Sequence, residues 1–120
     1  MIEVYLTNLI NENTGVKAGT GKEIRIKVTG HAGFDKKDRD IVCAAASAVI
    51  QTAIIAITRI AMVRQKVKQK HGLLESVIAI NKLETSKLRD LIIILNTMLV
   101  GLEEIIAINP EALRINFGKQ

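Results

Sequence analysis

The chain has 120 residues, of which 48% are hydrophobic and 24% charged, and its 17 Lys and Arg against 12 Asp and Glu leave a net charge of +5. That length predicts one domain spanning residues 1–120, and the single Tyr, two Phe and absent Trp predict an aliphatic core. One cysteine excludes an internal disulfide framework, and the N-terminus has no basic start followed by an apolar stretch and a small-residue cleavage site, so a reduced, cytoplasmic location is expected.

Two strands are predicted first, Ile2 to Leu9 and Glu23 to Thr29. The polar connector between them, Asn11 to Lys22 with Gly15, Gly19 and Gly21, is expected to be a mobile hairpin loop. Its Gly19-Thr20-Gly21-Lys22 is not a phosphate loop, because Gly15 is one residue too far from Gly21-Lys22 and Glu23 replaces the required hydroxyl residue.

From Ile41 to Thr58 the chain has no charge, no Gly and no Pro, which predicts a long helix. Its 18 residues approach the roughly 20 of a membrane span. Ser47, Gln51, Thr52 and Thr58 interrupt the stretch and its alanines suit close packing, so a core helix is the preferred reading. Met62 to Lys70 then alternates, with Arg64, Lys66, Lys68 and Lys70 on one face. A turn at His71-Gly72 leads into a strand from Leu73 to Ile80. His71 has no acidic or cysteine neighbour in sequence and is read as a turn residue.

Leu83 to Ala107 repeats apolar residues at helical spacing, Thr85 can open it, and Asn109-Pro110 ends it before a last strand, Leu113 to Phe117. The order is strand, strand, helix, strand, strand, helix, strand. This predicts an α+β fold: a single mixed sheet of about five strands with two long helices packed on it.

The chemistry concentrates where Gly30-His31-Ala32-Gly33-Phe34 precedes Asp40-Ile41-Val42-Cys43. The only cysteine follows one of only two histidines by twelve residues. Cys43 is expected in a first helical turn, where the positive end of the helix dipole and unpaired N–H groups favour the thiolate. The charged, glycine-containing segment from Gly33 to Arg39 could return His31 to that helix start as general base. Backbone N–H groups of Cys43 and Ala44 are then candidates for an oxyanion site. Asp40 could orient His31 or cap the helix, and Asp38 is the other candidate cap. The competing reading of Cys43 is a small buried hydrophobe, the usual fate of a lone cysteine in an apolar helix.

The string GHAGF…DIVCAAASAVIQTAI, from Gly30 to Ile54, resembles the signature of the ribosomal-processing cysteine protease family, Prp, and the likeness extends over nearly the whole chain. The family's His and Cys carry over onto His31 and Cys43, and its Asp onto Asp40. One departure is Asp38, where the family usually has glycine. The resemblance implies a bacterial cysteine endopeptidase that removes the N-terminal extension of large-subunit ribosomal protein twenty-seven. It also implies a thiolate nucleophile with His as acid and base, no metal or organic cofactor, and a homodimer.

The surplus of large aliphatics on both helices likewise points to a face buried against another subunit. The net charge and the basic strand raise a second class, a non-catalytic protein associated with the ribosome or with RNA, or weak contact of the protease with ribosomal RNA. Against it, no aromatic residue interleaves with those cations for base stacking, and basic edge strands commonly serve to resist edge pairing. A peptide with basic tails would fit poorly on the Arg64 to Lys70 face, which is therefore not the expected substrate groove.

Overall fold

The protein is described by a computed structural model covering residues 1–30 and 37–118, with backbone alone at 37–40. Its elements in chain order are β1 (Ile2–Thr7), β2 (Leu9–Glu12), β3 (Gly15–Ala18), β4 (Glu23–Thr29), α1 (Lys37–Arg59), β5 (Lys66–Lys70), β6 (Leu73–Ala79), α2 (Thr85–Ile108) and β7 (Leu113–Gly118). Five strands form one sheet in the order β5-β6-β4-β1-β7. β1 and β7 run parallel and the other neighbours antiparallel, so the sheet is mixed, with the two helices expected from the sequence.

Alternation along the strands decides which face the helices cover. Ile2, Val4 and Leu6 of β1 are buried together with Ile24, Ile26 and Val28 of β4 and Leu74 and Ile78 of β6. Pairing register aligns these positions across the sheet, for example Val4 with Val28 and Val28 with Leu74. They join Ala46, Ile50, Ala53, Ile54 and Ile57 of α1 and Leu91, Leu95, Met98 and Leu102 of α2 in one core. Each large aliphatic side chain in that core contributes about 1.5–3 kcal/mol by leaving water. By length and composition α1 and α2 would each pass as a membrane span, and here both lie on the sheet. Gly101 of α2 lets the two helices come close: a Cβ there would sit 3.1 Å from Val49 Cγ1 of α1.

Three boundaries differ from the sequence expectation, each for a local reason. The first predicted strand breaks at Asn8, which takes φ 65. Asn tolerates this left-handed conformation better than most residues. Its side chain donates to the Glu23 carbonyl (2.9 Å) and accepts from the Gly21 N–H (3.0 Å), which binds both ends of the connector. The connector is consequently an ordered hairpin, β2 with β3, rather than a mobile loop.

The basic strand begins at Lys66, not Met62, because α1 closes past its end. Val63 N–H donates to the Ile57 carbonyl (3.0 Å) across Met62, which adopts φ 58 at a position where glycine is usual. Gln65 then donates to the Ile54 carbonyl and accepts from Ser76 Oγ (2.7 Å), giving the fully buried Ser76 hydroxyl its partner.

The third difference concerns α1, which starts at Lys37. Asp38 and Asp40 therefore fall inside its first turn, and Cys43 falls in the second rather than the first.

The β2–β3 hairpin is clasped to α2 by Asn96, whose amide imitates a neighbouring strand. Val16 N–H donates to Asn96 Oδ1 (2.8 Å) and Asn96 Nδ2 donates to the Val16 carbonyl (3.2 Å). Gly15, at φ +123, allows the approach, because a Cβ there would collide with Asn96 Oδ1. Asn96→Leu should leave both Val16 groups unpaired. The expected loss is about 1–3 kcal/mol of unfolding free energy in urea titration, and a change within error would contradict the clasp.

Candidate active site

Cys43 is 7% exposed and belongs to the core, yet its side chain also forms part of a cavity wall. The cavity holds about 450 Å³ and lies where one end of the sheet meets the second turn of α1. Met1 and Ile2 from the N-terminus, Gly30 from the end of β4, Val42 and Cys43 from α1, and Ile108 to Ala112 between α2 and β7 line it. Cys43 thus stands at the boundary between the core and the cavity.

The helix geometry alters one part of the expected chemistry. Only the first four N–H groups of an α-helix lack intrahelical partners, and in α1 these are the groups of residues 37–40. The N–H groups of Cys43 and Ala44 lie beyond them, so the oxyanion role expected for these two does not fit the helix. The dipole's influence is likewise concentrated in the first turn, before Cys43.

The two other predicted site residues are not described to the same extent. His31 lies outside the described residues, and Asp40 is described by its backbone alone. Gly30, the residue before His31, is in the cavity wall with Cys43. Its N–H donates to the Gly72 carbonyl (3.2 Å), so the His71–Gly72 turn stands beside the end of β4. Among the described residues no three His, Cys, Asp or Glu side chains gather as metal ligands.

Sequence reading did not foresee the cavity's far wall. Asn109, Pro110 and Glu111 come from more than sixty residues downstream of Cys43 and reach it only because α2 returns along the sheet. The Asn109-Pro110 stop was visible as a helix terminator, and nothing local marked it as part of a site. Ala112 N–H donates to the Asn109 carbonyl (3.0 Å) and Ile2 N–H to the Ala112 carbonyl (2.9 Å), tying this wall to the N-terminus.

The family described as Cysteine protease Prp matches residues 11–114. The chain belongs to that family. It is a cysteine protease. Among solved structures, the S. aureus ribosomal processing protease Prp in complex with a substrate peptide is 27% identical, with a TM-score of 0.71 over 98% of this chain and 100% of the other. The same S. aureus protease with a covalently linked product peptide is 28% identical, TM-score 0.68, with coverage of 98% and 100%. A Streptococcus mutans protein shares the fold at 19% identity, TM-score 0.69, over 100% of this chain and 96% of that one. No curated protein matches in sequence.

Two glycines separate backbone strain from steric contact at this Prp-family site. Gly30 (φ +82) would drive a Cβ into the Met1 carbonyl oxygen, whereas Gly72 (φ +77) has open space around it. Alanine at either position incurs the left-handed penalty of about 1–3 kcal/mol. Only Gly30→Ala should also displace the N-terminal wall and lower kcat/KM for a peptide substrate, by about tenfold or more beyond Gly72→Ala. Equal losses in the two variants, measured side by side, would show that the Gly30–Met1 contact does not position the site.

Proposed function

We propose that the protein is an endopeptidase that removes the N-terminal extension of large-subunit ribosomal protein twenty-seven, with Cys43 as nucleophile and His31 as its acid and base. The observation that carries this reading is the position of Cys43 in a cavity wall shared with Gly30, the residue preceding His31. The S. aureus relatives, a ribosomal processing protease with a substrate peptide and with a covalently linked product peptide, support the substrate class and the covalent step.

In this mechanism the Cys43 thiolate attacks the scissile carbonyl carbon and a tetrahedral oxyanion forms. As it collapses the C–N bond breaks, and protonated His31 delivers a proton to the departing amine. His31 then takes a proton from water, whose oxygen attacks the thioester. The carboxylic product leaves and the thiolate returns. Asp40, three residues before Cys43 and thus near it along the helix surface, is assigned to orient His31.

The chain's single cysteine and its ribosomal substrate class fit work in the reducing cytoplasm, without a membrane. Family membership sets aside the wholly non-catalytic alternative. Weak contact with ribosomal RNA is retained beside the peptidase activity.

A homodimer fits the outer surface of the helices, where Ile55 is 51% exposed, Ile93 56% and Val100 61%. Large apolar side chains gathered on one surface commonly mark an interface. Ile93→Lys/Val100→Lys should convert a dimer to a monomer in sedimentation equilibrium, while an unchanged mass would remove this surface from consideration.

The decisive test is mass spectrometry of a peptide spanning the extension junction, incubated with wild type and with Cys43→Ala. One cut made by wild type alone is expected, with turnover in the variant lower by about a thousandfold or more. Cleavage by both proteins would remove Cys43 as the nucleophile, and cleavage by neither would remove the substrate assignment.

A further inference from the structure

The sheet face turned away from the helices carries charge in an ordered array. Strand register sets a central cross-strand row of Lys68, Glu75, Lys27, Tyr5 and Asn116. Lys66 and Lys70 lie on either side of Lys68 along β5, on the same face.

Two arginines of this face are already engaged, Arg25 with Glu75 (3.1 Å) and Arg114 with Glu3. Among the described residues no carboxylate stands within ion-pair distance of Lys27, Lys66, Lys68 or Lys70. Glu23, the remaining acid in the registered rows, sits at the opposite end of β4 from Thr29, opposite Ala79.

Alternate residues on a strand are about 6.7 Å apart and next-but-one strands about 9.6 Å, so four uncompensated ammonium groups spread over one broad patch. Such spacing is close to that of successive phosphates on an extended nucleic-acid strand.

Tyr5 supplies what the basic strand lacks in sequence, an aromatic ring among the cations. Its hydroxyl donates to Glu3 Oε2 (2.9 Å). That bond raises the Tyr5 pKa, while hydrogen bonds from Arg114 and Tyr5 hold the Glu3 carboxyl below its ordinary value. The phenol therefore stays neutral beside Lys27, its neighbour across β4.

A double helix, being a convex cylinder, would touch this broad face along a line, whereas a flexible strand can follow it. The exposed Ile55, Ile93 and Val100 that could enter a lipid surface are on the helices, on the other side of the sheet.

We propose that the open sheet face binds a single-stranded segment of RNA, with phosphates on Lys27, Lys66, Lys68 and Lys70 and one base stacked on Tyr5. The cavity containing Cys43 is walled by the helix side of the sheet and the N-terminus, so peptide and RNA can be held together. The choice of RNA rests on the ribosomal reading of the protease, while the binding test does not use proteolysis.

Fluorescence anisotropy with a labelled uridine strand of about 12 nucleotides provides the test. Lys27→Gln/Lys66→Gln/Lys68→Gln should lose about 30- to 100-fold in affinity at low salt, and its log–log salt slope should fall by about 2, near 0.7 for each phosphate contact on a single strand. Tyr5→Leu should lose about tenfold with the slope unchanged, and Tyr5→Phe should bind like wild type. The equal-charge control Lys82→Gln/Lys87→Gln/Arg89→Gln should retain most of the affinity.

Control and face variants losing affinity equally would overturn the proposal, as would tighter binding to duplex RNA or to phosphatidylserine vesicles. Junction-peptide cleavage by the face variant should match wild type. A wild type that cleaves the peptide but does not bind the strand defeats this proposal alone. One that binds the strand without cleaving removes the substrate assignment and leaves the surface standing.

Discussion

A single register shared by the strands of the main sheet is the constraint from which the rest of the molecule follows. Side chains on a strand alternate between faces, so slipping one strand by a residue would exchange its buried aliphatics for charged neighbours. With Val4 opposite Val28 and Val28 opposite Leu74, the even positions of these strands form the floor on which both helices rest. The odd positions are left to water and collect Arg25, Lys27, Glu3 and Tyr5. One geometric choice therefore makes both the core and the open face.

The same floor decides how close α1 can come to its neighbours and where Cys43 ends. Ala46, Ile50, Ala53 and Ile57 pack inward at helical spacing, and Cys43 continues that stripe toward the start of the helix. Near that end the sheet stops at Gly30, and the gap between sheet, helix and the turn after α2 becomes the cavity. The cysteine is thus both the last buried member of a packing stripe and a wall of the site. The burial expected of a lone cysteine in an apolar helix is therefore compatible with a place in the cavity wall.

The cavity and the surface charge lie on opposite faces of the sheet. Hydrogen bonds of Glu3 with Arg114 and Tyr5 organise the open face, whereas the chain of bonds from Asn109 through Ala112 to Ile2 organises the cavity. β1 belongs to both sets, with Ile2 on the cavity side and Glu3 on the other. Substitutions on one face can consequently be read without directly removing groups from the other.

Strand and helix order, the helical stripe of α2 and its stop at Asn109-Pro110 were legible because hydrophobic period and backbone breakers are local properties. The likeness from Gly30 to Ile54 made the protease family legible as well. What escaped sequence reading was set by partners distant along the chain. The β2–β3 hairpin is ordered by Asn96, 80 residues from Val16. The basic strand starts late because α1 closes through Met62 and Gln65 reaches Ser76. Tyr5 joins the lysines only when β1 pairs with β4. By itself the sequence determined which segments form strands and helices and which residue types could do chemistry, since both depend on short spacing. Tertiary structure alone decided where the helix begins relative to Cys43, what walls the cavity and which charges share a face, because those depend on closures between segments that no local pattern encodes.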